Sequence, residues 1–436
     1  MKKLIVCSMV VCLALFAAQV NAKKKKKKKA EESQKQTTTQ PLEGSTAQPK
    51  SEEAKESKAV GVPYVYTGPD TGFGVGASGL FRDIGDKEGR YLTFTAQYTI
   101  NQYNSYSIEW QEPGLFGKSG WGRIYVGYDA KPSRLFYGIG NDSSKESASS
   151  FGNTDIDLEP RYDYWFMNKP DKRIGLKVNW RYYYFDPKDG PKIDEDKLQT
   201  LSQRRISTVF PGFYHSDQFS TGEVSGFGVD FIYDDRKDKY PMGGGRDEVV
   251  YPYFGGRQEF YYAAYNTALG SDFNYTNWSA NLSYYLPIGW EWTVLALHGA
   301  INIKDGDVPW WDMNSFGSGG SEGGTNTLRG YHDGRFRDND LIIFNAELRQ
   351  HFPVEITPLP FWILKQFKLR APGVALFYDY GRVYDKESQI VGNFDGFHWT
   401  CGIGFRFIIS PSVVVRADYA VSNEESDFYL TTGWPF

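Results

Sequence analysis

The sequence predicts an all-β protein, a transmembrane antiparallel β-barrel of sixteen strands. Three observations carry that prediction. Tyr, Phe and Trp make up 17% of the 436 residues and glycine is frequent, yet the mean hydropathy is negative, −0.51. After the N-terminus no stretch approaches the ~18 consecutive apolar residues of a membrane-crossing helix. Towards the C-terminus, apolar and polar residues alternate. A barrel in lipid produces this combination, because half of each strand faces hydrocarbon, half faces the interior, and aromatic girdles mark both interfaces.

The chain opens as a secretory signal over 1–22: Lys2 and Lys3, an apolar core from Leu4 to Ala18, then Val20-Asn21-Ala22 with small residues at the cleavage point. Export would remove Cys7 and Cys12 and leave Cys401 alone, so neither an internal disulfide nor a cysteine metal site is expected. Residues 23–60 read as a disordered arm. Lys23 to Lys29 are an unbroken lysine run, and the Glu, Ser, Lys, Gln, Thr and Pro that follow cannot offset the entropy of ordering. The lysines read as a solvated tail, with contact to anionic peptidoglycan or lipid head groups as the alternative. The barrel is expected over 61–436. The formal net charge of −4 argues for no partner, and no nucleic acid is expected.

Strand faces follow from parity. Phe397, Trp399, Cys401, Ile403, Phe405 and Phe407 share one face, and His398, Thr400, Gly402, Gly404 and Arg406 the other. Val413, Val415, Ala417, Tyr419 and Val421 alternate with Val414, Arg416, Asp418 and Ala420. The last strand places Phe428, Leu430, Thr432, Trp434 and Phe436 together, and ending on Trp434 and Phe436 resembles the terminal aromatic signal of outer-membrane barrels. Fifteen such segments can be read between 71 and 436, beginning with a glycine-rich one at 71–81. Single-chain bacterial barrels have even strand numbers, which puts a further strand between Lys197 and Ser220, where Ile206, Thr208 and Phe210 alternate. The polar segments 131–153, 186–222 and 304–339 read as extracellular loops, and Asn168–Asp171 and Ile288–Glu291 as periplasmic turns.

Several short motifs lack the context their chemistry needs. Gly74-Val75-Gly76-Ala77-Ser78-Gly79 spells a dinucleotide fingerprint, but a Pro/Gly turn precedes it and no amphipathic helix follows. Gly117-Lys118-Ser119 has Glu112 where a phosphate loop needs its first glycine. Gly319-Gly320-Ser321-Glu322-Gly323 matches a nucleophile elbow, yet lies between Ser/Gly loop segments rather than between a strand and a helix. The five histidines show no metal-ligand spacing, and Asp234-Asp235-Arg236-Lys237-Asp238 reads as a solvated strand end. No catalytic, cofactor or metal site is expected, and the protein reads as a non-enzyme.

One loop stands out. Leu328-Arg329-Gly330-Tyr331 follows the Ser/Gly/Asn-rich run from Gly317 to Asn326. In the next strand Ile342, Phe344, Ala346, Leu348 and Phe352 face one way, turning Asn345, Glu347, Arg349 and His351 inward. In the strand after that, Ala375, Phe377, Asp379 and Gly381 turn inward. Glu347 and Asp379 therefore point into one lumen from neighbouring strands. Either they line wet space, or a guanidinium lies between them and serves both, as its planar fork allows.

Leu328-Arg329-Gly330-Tyr331 resembles the loop signature of the BamA/TamA superfamily of outer-membrane assembly and translocation barrels, also called bacterial surface antigen barrels. The order Arg329, Glu347, Asp379 matches. Phe231-Ile232-Tyr233-Asp234-Asp235-Arg236 is similar to the family's tyrosine–aspartate–arginine strand end, and Phe136-Tyr137-Gly138-Ile139-Gly140-Asn141-Asp142-Ser143 and Gly402-Ile403-Gly404-Phe405-Arg406 add to the likeness. The resemblance covers about 70 to 436. It implies a sixth extracellular loop folded into the lumen, with Arg329 locked on Glu347 and Asp379 beside Gly381. It also implies a bacterial outer-membrane location, contact with lipopolysaccharide and phospholipid, and dependence on the outer-membrane insertion machinery. Client proteins or lipids complete the implied partners. A role in outer-membrane biogenesis follows, with a passive pore or surface adhesin as the alternative. The implied mechanism includes a weak seam between the last strand and the glycine-rich first one, where Gly72, Gly74, Gly76 and Gly79 would pack poorly. Two features depart from the family: Pro435, and a segment before the barrel too short for POTRA domains.

Overall fold

The computed structural model describes residues 59–68, 72–117, 119–169, 171–190, 205–238, 251–317, 328–356, 369–385, 396–409, 413–432 and 434–436. The expected leader, the arm up to residue 58 and the Ser/Gly/Asn-rich run after Gly317 lie outside the described residues. No helix among the described residues is long and apolar enough to cross a membrane.

The described residues fold into an antiparallel sheet of eighteen strands and a separate two-stranded one. The long ones are Ala59–Gly68, Gly72–Arg82, Tyr91–Thr99, Asn104–Pro113, Gly120–Phe136, Ser149–Lys169, Lys172–Asp189 and Gly222–Asp234. Pro252–Tyr265, Tyr275–Pro287, Thr293–Gly306, Asp340–His351, Leu369–Tyr384, His398–Ile409, Val413–Ser422 and Ser426–Thr432 continue the sheet. Each long strand pairs with the next along the chain. Lys237–Asp238 and Glu355–Ile356 are two-residue extensions, and Asn314–Phe316 with Phe336–Asp338 makes a separate ribbon. Ala59–Gly68 pairs along its whole length with Gly72–Arg82 but meets the last strand only at Thr67, opposite Leu430.

The two faces of this sheet invert the usual rule for water-soluble proteins. Phe344 is 48% exposed and Phe405 49%, while Glu347 and Arg406 between them are 0%. One face thus presents an apolar surface, and the other buries charge. That is the parity read from the sequence, and it holds from Ile124 and Val178 to Tyr419 and Phe428.

Several expectations need correction. The ordered sheet starts at Ala59, not 61. No strand lies in the described part of 197–220; Ile206–Val209 and Pro211–Tyr214 are short helices. Pro211 at a helix start, and Ile206, Phe210 and Phe213 packing into one aromatic cluster, favour helix over the alternation read there. The additional strand is Ala59–Gly68. The loop expected over 131–153 is narrower, because one strand runs on to Phe136 and the next begins at Ser149. Gly72–Arg82 is not loosely packed either: the Tyr64 ring covers Gly76 and the Phe94 ring covers Gly79, so these glycines make room for neighbouring aromatics.

The last strand ends at Thr432, and Trp434 and Phe436 leave the exposed face. Both turn to the charged side, where the Arg349 guanidinium carbon lies 4.3 Å from the Trp434 ring and 5.2 Å from that of Phe436. Tyr285 donates to the Phe436 carbonyl (3.0 Å), and the Phe436 ring stacks on His298. Pro435 offers no N–H to a ladder, so the strand pattern cannot continue through it. The attraction of a buried guanidinium for aromatic faces accounts for the inward turn.

Candidate functional site

Arg329 is fully buried and approaches the sheet from the loop. Its Nε and Nη2 donate to Asp379 Oδ2 (2.8 Å) and Oδ1 (2.7 Å), and its backbone N–H also reaches Oδ2 at 3.2 Å. Nη1 donates to Glu347 Oε1 at 2.5 Å and lies 3.6 Å from Asp418 Oδ2. The guanidinium carbon lies over the Phe377 ring, 3.6 Å from its centroid. A planar cation thus serves carboxylates from three strands at once, which an ammonium could not do.

The network extends further. Glu347 also accepts from Arg349 Nε (2.7 Å) and Arg406 Nη2 (3.0 Å), and Asp418 accepts from Arg406 and from Arg416 Nη1 (3.3 Å). Asn345 (2.8 Å) and Thr400 (3.3 Å) complete Asp379. Four guanidinia and three carboxylates, all exposed by 1% or less, form one dry cluster. Buried charges of this kind cost desolvation free energy and persist only when every member is paired. The sequence pointed to Arg329, Glu347 and Asp379; Asp418, Arg406, Arg349 and Arg416 were missed as a set, although each occupies an inward position of the alternation.

The neighbouring loop residues fit closely. Gly330 sits at φ +88°, where a side chain is strained and a Cβ would come within 3.3 Å of Ala420, and its N–H donates to the Tyr429 hydroxyl (2.9 Å). Tyr331 is buried and bonds Asn423 through its hydroxyl. Leu328 packs with Phe316, Phe336, Ile343 and Val383, and Gly381 leaves the space its side chain needs.

Sequence reasoning missed a second anchor in the same loop. Asp312 accepts from Lys304 Nζ (2.9 Å), Arg181 Nη1 (3.2 Å) and the Tyr275 hydroxyl (2.6 Å). Burial alone would raise its carboxyl, but Lys304 and Arg181 outweigh that and hold it down to about 2. Beside it, Trp310 packs against the rings of Phe136, Phe151, Phe185, Phe213 and Phe219. Two adjacent tryptophans, Trp310 and Trp311, in a polar loop were the available signal.

The 137–148 segment also braces the loop. Asn141 donates to Gly396 O (2.7 Å) and accepts from Val383 N, and Gly140 N donates to Arg337 O (2.7 Å). Arg335 donates to Ser143 O (2.8 Å) and forks onto Glu424. His332 N and Nε2 meet Glu425, whose Oε2 also accepts from Lys145 (2.8 Å). Burial would raise Glu425, but these bonds hold it at about 2. His332, Glu425 and Asp427 are close enough to hold a metal, but Lys145 already supplies the counter-charge. Asp234 is not solvated as expected: it is 3% exposed and paired with Arg236 and Arg173.

The protein is thus an antiparallel sheet with one exposed apolar face and, on its charged face, a loop arginine clamped to buried carboxylates. A family model, the Omp85 superfamily domain, matches residues 86–436, and the chain belongs to that superfamily of outer-membrane assembly and translocation barrels. Among solved structures, BamA from Haemophilus ducreyi lacking POTRA domains 1–3 is similar over 86% of this chain and 70% of its own, with 15% identity and a TM-score of 0.52. CdiB from Escherichia coli is similar over 89% of this chain and 64% of its own, with 8% identity and a TM-score of 0.55. No curated protein matched at the level of sequence.

Proposed function

We propose that the sixteen long strands close into a transmembrane barrel in the bacterial outer membrane, and that the protein acts without enzymatic chemistry in outer-membrane biogenesis, inserting or translocating protein or lipid. The observation that carries this reading is the Arg329 clamp, which keeps a loop inside the barrel instead of leaving a clear bore. The similarity to BamA and CdiB supports a role in assembly or translocation. The single pairing of Thr67 with Leu430 supports the weak seam, placed one strand earlier than the glycine-rich segment. Trp434 and Phe436, turned inward, act as an internal stop. Membrane lipids, the insertion machinery and client proteins or lipids are the partners this reading requires.

Removal of the protein from its cell tests the reading: the abundance of other outer-membrane proteins or the lipid asymmetry of the membrane should change. Unchanged outer-membrane composition, with large steady conductance of the purified protein, would establish a passive pore instead.

A further inference from the structure

Among the described residues one set of side chains has the donors and the spacing of a metal centre. His332, Glu425 and Asp427 each offer one ligand atom, and the three atoms lie within 4.8 Å of one another. Spacing along the chain hides the set, because His332 sits in the loop just after Arg329 and Glu425 lies 93 positions further on. Asp427, in the last strand, is on the face of the buried Tyr429, opposite the exposed Phe428. The His332 backbone N–H donates to Glu425 Oε1 (3.1 Å), which leaves Oε2 facing the imidazole Nε2 at 3.2 Å.

The site already collects a cation. Lys145 Nζ donates to Glu425 Oε2 (2.8 Å) and to the Glu424 carbonyl (3.3 Å). That side chain is 38% exposed, and an ion pair open to water contributes little, so the ammonium holds its place weakly. Metal bonds of about 2.0–2.2 Å in a tetrahedral array set ligand atoms roughly 3.4 Å apart. The His332–Glu425 pair is already near that separation, and the third ligand has to close by at most about 1.4 Å, which a change of Asp427 rotamer can supply. One imidazole nitrogen with two carboxylates suits a zinc-class ion, whereas magnesium and calcium take oxygen ligands.

We propose that His332, Glu425 and Asp427 bind a divalent transition-metal ion of the zinc class, which displaces the Lys145 ammonium and ties the loop to the last strand. Three protein ligands leave a fourth position to water, the open arrangement rather than the closed four-ligand one of structural zinc. The ion adds a fastening separate from the Arg329 clamp. The inference does not depend on the proposed role in outer-membrane biogenesis.

Calorimetric titration of the purified full-length protein, carrying no histidine tag, with zinc chloride tests this. One ion should bind per chain. His332→Gln and Asp427→Asn should each weaken binding roughly tenfold or more. Lys145→Met should strengthen it by up to roughly fivefold, the contribution of an exposed ion pair that no longer competes. Zinc should also slow protease cleavage within 328–338 in the unmodified protein, and magnesium should not. Variants are compared only when they keep a heat-modifiable gel shift; Lys145→Met, at an exposed side chain, carries the test if a ligand variant does not fold. Absence of zinc binding, or an affinity that Lys145→Met fails to raise, would overturn the proposal. So would binding that His332→Gln leaves intact, which would put the ion elsewhere, as on the exposed His215.

Discussion

Arg329 holds both carboxylate oxygens of Asp379, whereas it shares Glu347 with Arg349 and Arg406. Arg329→Ala therefore strands Asp379 far more than Glu347. The loss should be about 3–5 kcal/mol, as for other buried pairs broken from one side. The shift of the heat-modifiability transition measures it; an unchanged transition temperature would sink the clamp.

Neutralising the stranded partner should help. Arg329→Ala combined with Asp379→Asn should recover at least half of the stability lost by Arg329→Ala alone, because the double variant leaves three guanidinia facing two well-paired carboxylates. Glu347→Gln has no such rescue. It removes the carboxylate that Arg329, Arg349 and Arg406 share, whereas Asp379 is bound by Arg329 alone among the arginines, so it should be more damaging than Asp379→Asn in the same unfolding measurement.

Loop fit should be sensitive to a single methyl group. Gly330→Ala forces a Cβ into a left-handed position and towards Ala420, at a cost of about 1–2 kcal/mol. Gly381→Ala brings a Cβ to within 3.1 Å of Leu328 Cδ1. Both should make the 328–338 segment more susceptible to added protease while the strands stay protected.

Acid should release the loop in a defined window. Glu425 and Asp312 are both held at about 2 in the folded protein, below their usual range. A depressed carboxyl contributes its stabilisation above the unfolded-state value near ~4 and loses it as pH falls towards the folded value. Protease protection of the loop should be constant from pH 7 to about 5 and decline between about 4.5 and 2. Glu425→Gln together with Asp312→Asn should flatten that decline.

Parity made part of this structure legible. Once the alternation fixed which residues face inward, Glu347 and Asp379 pointed to one side of the sheet, and the likeness of Leu328-Arg329-Gly330-Tyr331 to a family loop signature singled out Arg329 as their partner. Asp418 and Arg406 were visible as inward residues too, but their joining requires the stagger between four strands, which no single strand encodes. The Trp310 cluster draws on eight separate segments and leaves only a pair of tryptophans in the sequence. Ala59–Gly68 was hidden by Pro63 in its middle. A proline fits there because that strand is an edge, paired fully on one side and at a single position on the other.

The ties that fasten the loop join residues far apart in the chain: Arg134 to Asp333, 199 positions on, and Lys145 to Glu425, 280 positions on. Closing such spans is slow, and none can form before the strands on both sides are in place. The loop is then the last part to settle as the chain folds, and its docking reports that the wall around it is complete.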